Sequence, residues 1–519
     1  MSNPSLEPLE PLEPLEPIEL SDGTEIEVPD VDPEPQAGNA QMEVPSLRTY
    51  VFRGIITIAC LIIGFYESFV LLWQNLRIGV ADYSLLMVLM AIVLFIGLDR
   101  KRARALNIHD REVDYIIGGI AVLIAITIKS QLLPRFVDWE TLLRLDMFAL
   151  LFFAFGISGL VFGMRSTFSF APGWILLFGY NAVAHLIISV IFGGGFWGPV
   201  MANIIGLSLA VLVSSNRDLV QATYLALMTV LFGVIFAIIV WALTDGSKFL
   251  TLVPAVLATI TVVLVSSRWR LGQWKIRRRQ PTVEKAGPAL IAVVVAAALL
   301  AWIPTPYVER VNNLPGLQML AKPAPGVIAP IGWHIDDVQY YNWASRYFGP
   351  GSSLLRQTMT ADHYNEAWDP DGLDRTVVVD TLQSAERFQQ HAFGDETLYS
   401  TLRGRKSDTV QVDLGYGVVG RAYTVLDETD FLTYTKLVFE WQTTNNTVEK
   451  ISVIAVDDHR AEAKFPELAP SVTRMFIQVV TILFRGNDVT IDTNTQLKDL
   501  DLVSQVGRQI VAEQQVGRS

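Results

Sequence analysis

The chain has 519 residues, 51% of them hydrophobic and only 18% charged, with a net charge of -12 and a mean hydropathy of +0.36. The charged fraction lies below the roughly 25% of soluble domains, and the acidic balance excludes the basic footprint of a nucleic-acid-binding protein. A single cysteine, Cys60, excludes an intrachain disulfide and a cysteine-based zinc cluster.

Residues 1–48 open on a Leu-Glu-Pro triplet repeat, "SLEPLEPLEPLEPIEL". Proline at every third position blocks helix and favours extended backbone. With its acidic, Pro- and Gly-rich continuation, the segment reads as a disordered cytoplasmic tail. It lacks the basic start and apolar core of a signal peptide.

Nine apolar runs follow, near 50–73, 79–98, 114–133, 142–163, 168–194, 197–214, 219–243, 249–267 and 287–304. About 20 such residues span a bilayer, so residues 49–304 are expected to form a polytopic helical membrane bundle. Arg and Lys concentrate after the even-numbered runs: "DRKRARALNIHDRE", Arg165, Arg217 and "SSRWRLGQWKIRRRQ". The other connections, such as "FVDWE", "GGGF" and "TDGSK", are poor in both. By the positive-inside rule the N-terminus is cytoplasmic and everything after residue 304 lies outside a plasma membrane. "SSNRD" at 214–218 is then an inner turn rather than a site.

Residues 305–519 change character and predict an extracytoplasmic α+β domain. "RTVVVDTL", "DTVQVDLGYG", "RAYTVLD", "YTKLVFEWQT" and "KISVIAVDD" read as strands. Alternation sets Leu437, Phe439 and Trp441 against Val438 and Glu440. "SAERFQQHAF" and "LVSQVGRQIVAEQ" read as helices, with Val503, Val506 and Ile510 on one face of the second.

Ionisable and polar groups inside a membrane are costly and mark sites or internal pairs. Glu67, Lys129, Arg144, Asp146, Asn181 and His185, with Asn203, fall in the apolar runs. They predict a polar cavity in the outer half of the bundle, in which Glu67 or Asp146 partners Lys129 or Arg144. The alternative is that Lys129 and Arg144 snorkel to the interface and that Arg144 with Asp146 simply marks a helix end. In the polar third, "HYNE" (His363, Glu366) and "VDDH" (Asp457, Asp458, His459), like His334 and His391, match no metal motif. No metal or cofactor is expected, and no phosphate loop or nucleophile elbow appears.

"LLWQNLRIGVADYSLLMVLMAIVLFIGLDRKR" and "RLDMFALLFFAFGISGLVFGMRSTFSFAPGWILLF" are similar to the membrane core of the exosortase/archaeosortase family. The likeness lies in a Trp, a Tyr-Ser pair, basic turns and a proline-marked span. The last third resembles the exosortase-associated domain through Gly332-Trp333 and "YTKLVFEWQ". The resemblance implies a cysteine transpeptidase, yet the Cys-Ser-Gly-type motif is absent and Leu85 stands where many members have His. Cys60 lies mid-span with no His or Arg near it in sequence, so no catalytic residue carries over.

The expected role is a divergent, non-catalytic exosortase-like scaffold or accessory factor in envelope assembly, export or surface attachment. Its partners would be membrane lipids and envelope or exported proteins. The alternatives are a transporter or lipid-substrate carrier using the polar cavity, and a membrane transpeptidase or hydrolase with a non-cysteine nucleophile.

Overall fold

A computed structural model describes residues 47–516 apart from 78–82, 102–110, 137–142, 216–218, 247–249, 269–286, 307–325, 350, 370, 385–389, 391–397, 400–403, 429–430, 444–446, 461–462, 469, and 471–496 save Ile477 and Val480. The expected acidic tail, most of the basic connections, and the helix at "SAERFQQHAF" fall wholly or largely outside the described residues.

The first part is helical: α1 (Leu47–Gly64), α2 (Tyr66–Arg77), α3 (Tyr83–Lys101), α4 (Arg111–Arg135), α5 (Leu145–Phe162), α6 (Ala171–Gly179), α7 (Ala182–Ile191), α8 (Trp197–Ser214), α9 (Leu219–Thr244), α10 (Val253–Arg268) and α11 (Gly287–Trp302). Several of these helices are compatible with membrane insertion, but nine spans are not supported. Among the described residues, α4, α5, α8 and α9 are each long and apolar enough to cross a bilayer, making four spans, or up to six if each of two bent pairs is one span. α1 and α2 meet at 70°, and α6 and α7 at 60°. The apolar parts of α3, α10 and α11 are shorter.

The physical reason is that apolar composition continues through a bend. At the second bend Asn181 leaves the helical conformation and its Oδ1 accepts the Ala184 amide at 3.0 Å, so a new helix starts inside one apolar run.

Small residues let the helices approach closely. A Cβ on Gly118 of α4 would lie 2.7 Å from Leu160 Cγ, and one on Gly156 of α5 would lie 2.8 Å from the Gly118 carbonyl oxygen. At the same end of this pair, the buried Asp114 carboxylate accepts the Met164 amide at 2.6 Å.

Among the described residues, the second part is built on an eight-stranded antiparallel sheet. Its strands are β1 (Trp333–Tyr341), β2 (Ser353–Ala361), β3 (Thr376–Ser384), β4 (Arg405–Lys406), β5 (Val410–Asp413), β6 (Val419–Asp427), β7 (Leu432–Gln442) and β8 (Val448–Val456). The order is β1-β2-β3-β8-β7-β6-β4, with β5 also on β6. The short helix α12 (Ala344–Phe348) follows β1, and α13 (Leu500–Val516) closes one face. There Leu437, Phe439 and Trp441 meet Val503, Val506 and Ile510, as the two periodicities predict. Val438 does point to the other face, but that face is buried as well.

The two parts pack together. Val190 of α7, Phe348 of α12 and Leu354 of β2 belong to one continuous apolar cluster. Gly194, in the turn after α7, has φ +64, and a Cβ there would overlap the Arg346 carbonyl oxygen of α12. Gly194→Ala is therefore expected to cost at least about 1–2 kcal/mol from left-handed backbone strain alone, and to lift α12 from the turn. Faster proteolysis of the sheet domain at an unchanged helical signal is the readout; wild-type protease resistance would contradict the seating.

Candidate functional site

One end of the helical bundle gathers most of the sequence-selected polar residues. α4 carries a π-helical turn at Ile128–Leu132, and Lys129 lies in it with 1% of its surface exposed. Its ammonium donates to the Gly64 carbonyl oxygen at 3.1 Å and the Leu300 carbonyl oxygen at 2.8 Å. It also lies 5.3 Å from the centre of the Phe65 ring. Both carbonyls belong to helix C-termini, of α1 and α11, where peptide dipoles favour a cation. Lys129 thus ties three helices together at the α1–α2 bend.

Arg144 precedes α5 with φ 44, in left-handed conformation. Its guanidinium grips Asp146 twice, each bond 3.1 Å long, and both side chains are 3% exposed. Of the expected pairings, Arg144 with Asp146 is therefore present. Lys129 turns instead to backbone oxygens, a partner type that sequence spacing does not reveal. Glu67 accepts the backbone amide of Thr305, just past α11. A cavity of about 10 Å³ lies among Leu133, Phe136, Leu145, Asp146, Thr305 and Pro306, room for about one water molecule.

His185 forms a second group. Its Nε2 is 3.1 Å from Asn203 Oδ1, and Asn203 Nδ2 donates to the Thr251 carbonyl oxygen at 3.2 Å. Because that carbonyl can only accept, the amide orientation is fixed. Asn203 Oδ1 then requires a proton on His185 Nε2. This chain links α7, α8 and the turn before α10, while the Tyr83 ring centre lies 6.1 Å from that of His185. Asn181 is not part of it, because its side chain caps α7.

Cys60 is buried in the apolar cluster of α1 and α11. In chemical terms, the bundle end holds cations and amides whose polar atoms are engaged by backbone, carboxylate and one another.

The sheet domain holds a third group, which the sequence did not signal. Arg356 and Asp380 are cross-strand partners on β2 and β3, bonded at 2.7 and 2.8 Å. The Tyr399 hydroxyl donates to Asp380 at 2.8 Å, and Arg356 also donates to the Pro466 carbonyl oxygen at 2.9 Å. Burial alone would lower the pKa of the guanidinium, but the bonds and charge of Asp380 outweigh it and hold the pKa above the ordinary value. Lys436 Nζ stands 3.9 Å from the centre of the Tyr399 ring.

Of the histidines, His334 contacts Asp362 at 2.7 Å and Asp336 at 3.1 Å on the exposed β1 edge. His363 and Glu366 are both exposed, and His391 lies outside the described residues. His459 meets a distant residue, Asp369, at 2.5 Å, rather than the carboxylates beside it in sequence. Asp369 also accepts the amides of Asp371 and Leu373, at 2.6 and 3.3 Å, so the pair fixes a turn.

No protein-family model matches the chain, and no curated protein or solved structure matches it significantly.

Proposed function

We propose that the chain is a multi-pass plasma-membrane protein of a cell envelope, a divergent exosortase-like scaffold or accessory factor rather than an enzyme. The observation that carries this reading is the seating of the sheet domain on the bundle, with the Gly194 turn against the Arg346 backbone. A domain held this way presents its outer surface at a fixed height above a membrane, which suits assembly, export or attachment of other envelope proteins. The contacts of Lys129, Arg144, Asp146 and His185 support the same reading, because their polar atoms bind the protein itself rather than face a cargo. The orientation rests on the basic connections, and the kinship on the sequence likeness.

Orientation is testable in a Cys60→Ser background. Cysteine at Asp408, an exposed position before β5, is expected to react with an impermeant thiol reagent in intact cells. Cysteine at Arg278, within the basic run, is expected not to react. The reverse pattern, or labelling of both, would overturn the topology.

The Cys60→Ser change itself tests the non-catalytic role. A buried helical serine can bond back to its own helix, so stability is expected to change by no more than about 1 kcal/mol and the envelope phenotype to persist. Loss of phenotype at normal protein level would restore a cysteine enzyme.

A further inference from the structure

α2 turns away from α1 by 70° immediately after Gly64. α1 alone has 18 residues, about 27 Å of helix, close to the roughly 30 Å of a hydrocarbon core. By length and composition it makes a span only when α2 is counted with it, so the direction of α2 decides whether the two are one span. Its end is level with the end of α11: Gly64 packs on Leu300 and Ala297, Lys129 bridges Gly64 and Leu300, and Glu67 accepts the Thr305 amide. α11 closes on Trp302, which is 88% exposed. Trp241, near the end of α9, is half-exposed and lies with Trp197, at the start of α8, at a ring separation of 6.3 Å. Exposed tryptophan at the ends of apolar helices marks the level of the lipid headgroups.

α2 starts at that level and is two-sided. Ser68 and Leu71 are buried against the protein, whereas Tyr66 and Trp73, 63% and 58% exposed, point outward together. Seven residues apart, they share one helix face. Membrane helices tilt by about 20° from the normal, so a 70° bend leaves α2 closer to the membrane plane than to its normal. Aromatic residues with one apolar body and one polar tip suit the boundary between headgroups and acyl chains.

We infer that α2 is an in-plane interfacial helix that lays Tyr66 and Trp73 into the headgroup boundary, and not the upper part of a transmembrane span. The inference rests on the membrane-spanning reading of the chain and adds a lipid-contact surface to it. Glu67 is the latch that fixes this helix to the end of α11, and Lys129 holds the bend from beneath.

The test uses the full chain with Cys60→Ser, reconstituted in phosphatidylcholine–phosphatidylglycerol vesicles. Spin labels are placed singly at Tyr66→Cys, Trp73→Cys and Leu231→Cys, and depth is read from oxygen and nickel-chelate relaxation. A helix along the normal separates the first two labels by about 10 Å in depth, the rise of seven residues. The expected result is less than half of that separation, with both labels at the headgroup boundary. A full separation, or both labels in bulk water, overturns the inference. The Leu231 label, within α9, is expected deep in the acyl region; finding it in water overturns the membrane reading itself. If labelling Trp73 prevents folding, the exposed neighbour Gln74→Cys gives the same readout.

Discussion

Replacing Asp146 by Leu is expected to lower the stability of the detergent-solubilised protein by about 3–5 kcal/mol. The change strips Arg144, 3% exposed, of a carboxylate that grips it at 3.1 Å on two sides. A buried charge that loses its counter-ion retains its desolvation penalty, so the single substitution costs more than the pair is worth. Arg144→Met with Asp146→Leu is therefore expected to cost less than Asp146→Leu alone. A double-mutant cycle on thermal unfolding measures the difference. Asp146 is expected to couple more strongly to Arg144 than to Lys129, whose bonds run to the Gly64 and Leu300 carbonyl oxygens. Equal coupling to both cations would mean that the bundle end is a diffuse charge cluster rather than a set of fitted contacts.

Asp380→Ala is the second change with a large expected effect, again about 3–5 kcal/mol. Asp380 is 2% exposed and accepts from both Arg356 and Tyr399, so three bonds vanish and a buried guanidinium stays behind. Tyr399→Phe removes one of the three and is expected to cost about 1–2 kcal/mol. Hydrogen exchange along β2 and β3 reports the loss locally, because Arg356 and Asp380 sit opposite one another in that ladder. An Asp380→Ala protein with wild-type exchange in these strands would show that the group does not hold the sheet.

Some of this architecture was legible in the residues alone. α13 declared itself through Val503, Val506 and Ile510, because an amphipathic helix on a sheet must repeat its apolar residues at 3.6. β3 and β5 to β8 did so through β-branched and aromatic alternation. β1 did not, since seven successive residues from His334 to Tyr340 are exposed and no face had to be apolar. β2 was hidden by Arg356 and Gln357, polar residues that are buried only because the fold brings them partners: Asp380 for one, the Val327 backbone for the other. Hydropathy found the apolar runs but not the break after Gly64, where no proline interrupts the chain and the freed geometry is held by Lys129, 65 residues away. The polar residues of the bundle end could be picked out by their cost in a membrane. Which of them meet could not, because register and helix bending decide it.

The strand order also separates local pairings from one distant pairing. β1, β2 and β3 pair as successive neighbours, and so do β6, β7 and β8, so each half can assemble from local contacts. Among the described residues, the ladder joining the halves is β3 to β8, from Val378↔Ile454 to Ser384↔Val448. Closing it means drawing together segments separated by all of β4 to β7, and such non-local pairing is what slows β-rich chains. Until they pair, β3 and β8 each keep one edge open. That seam is the pairing with the largest sequence separation among the described ladders, and a delay there would leave apolar strand edges open to neighbouring chains.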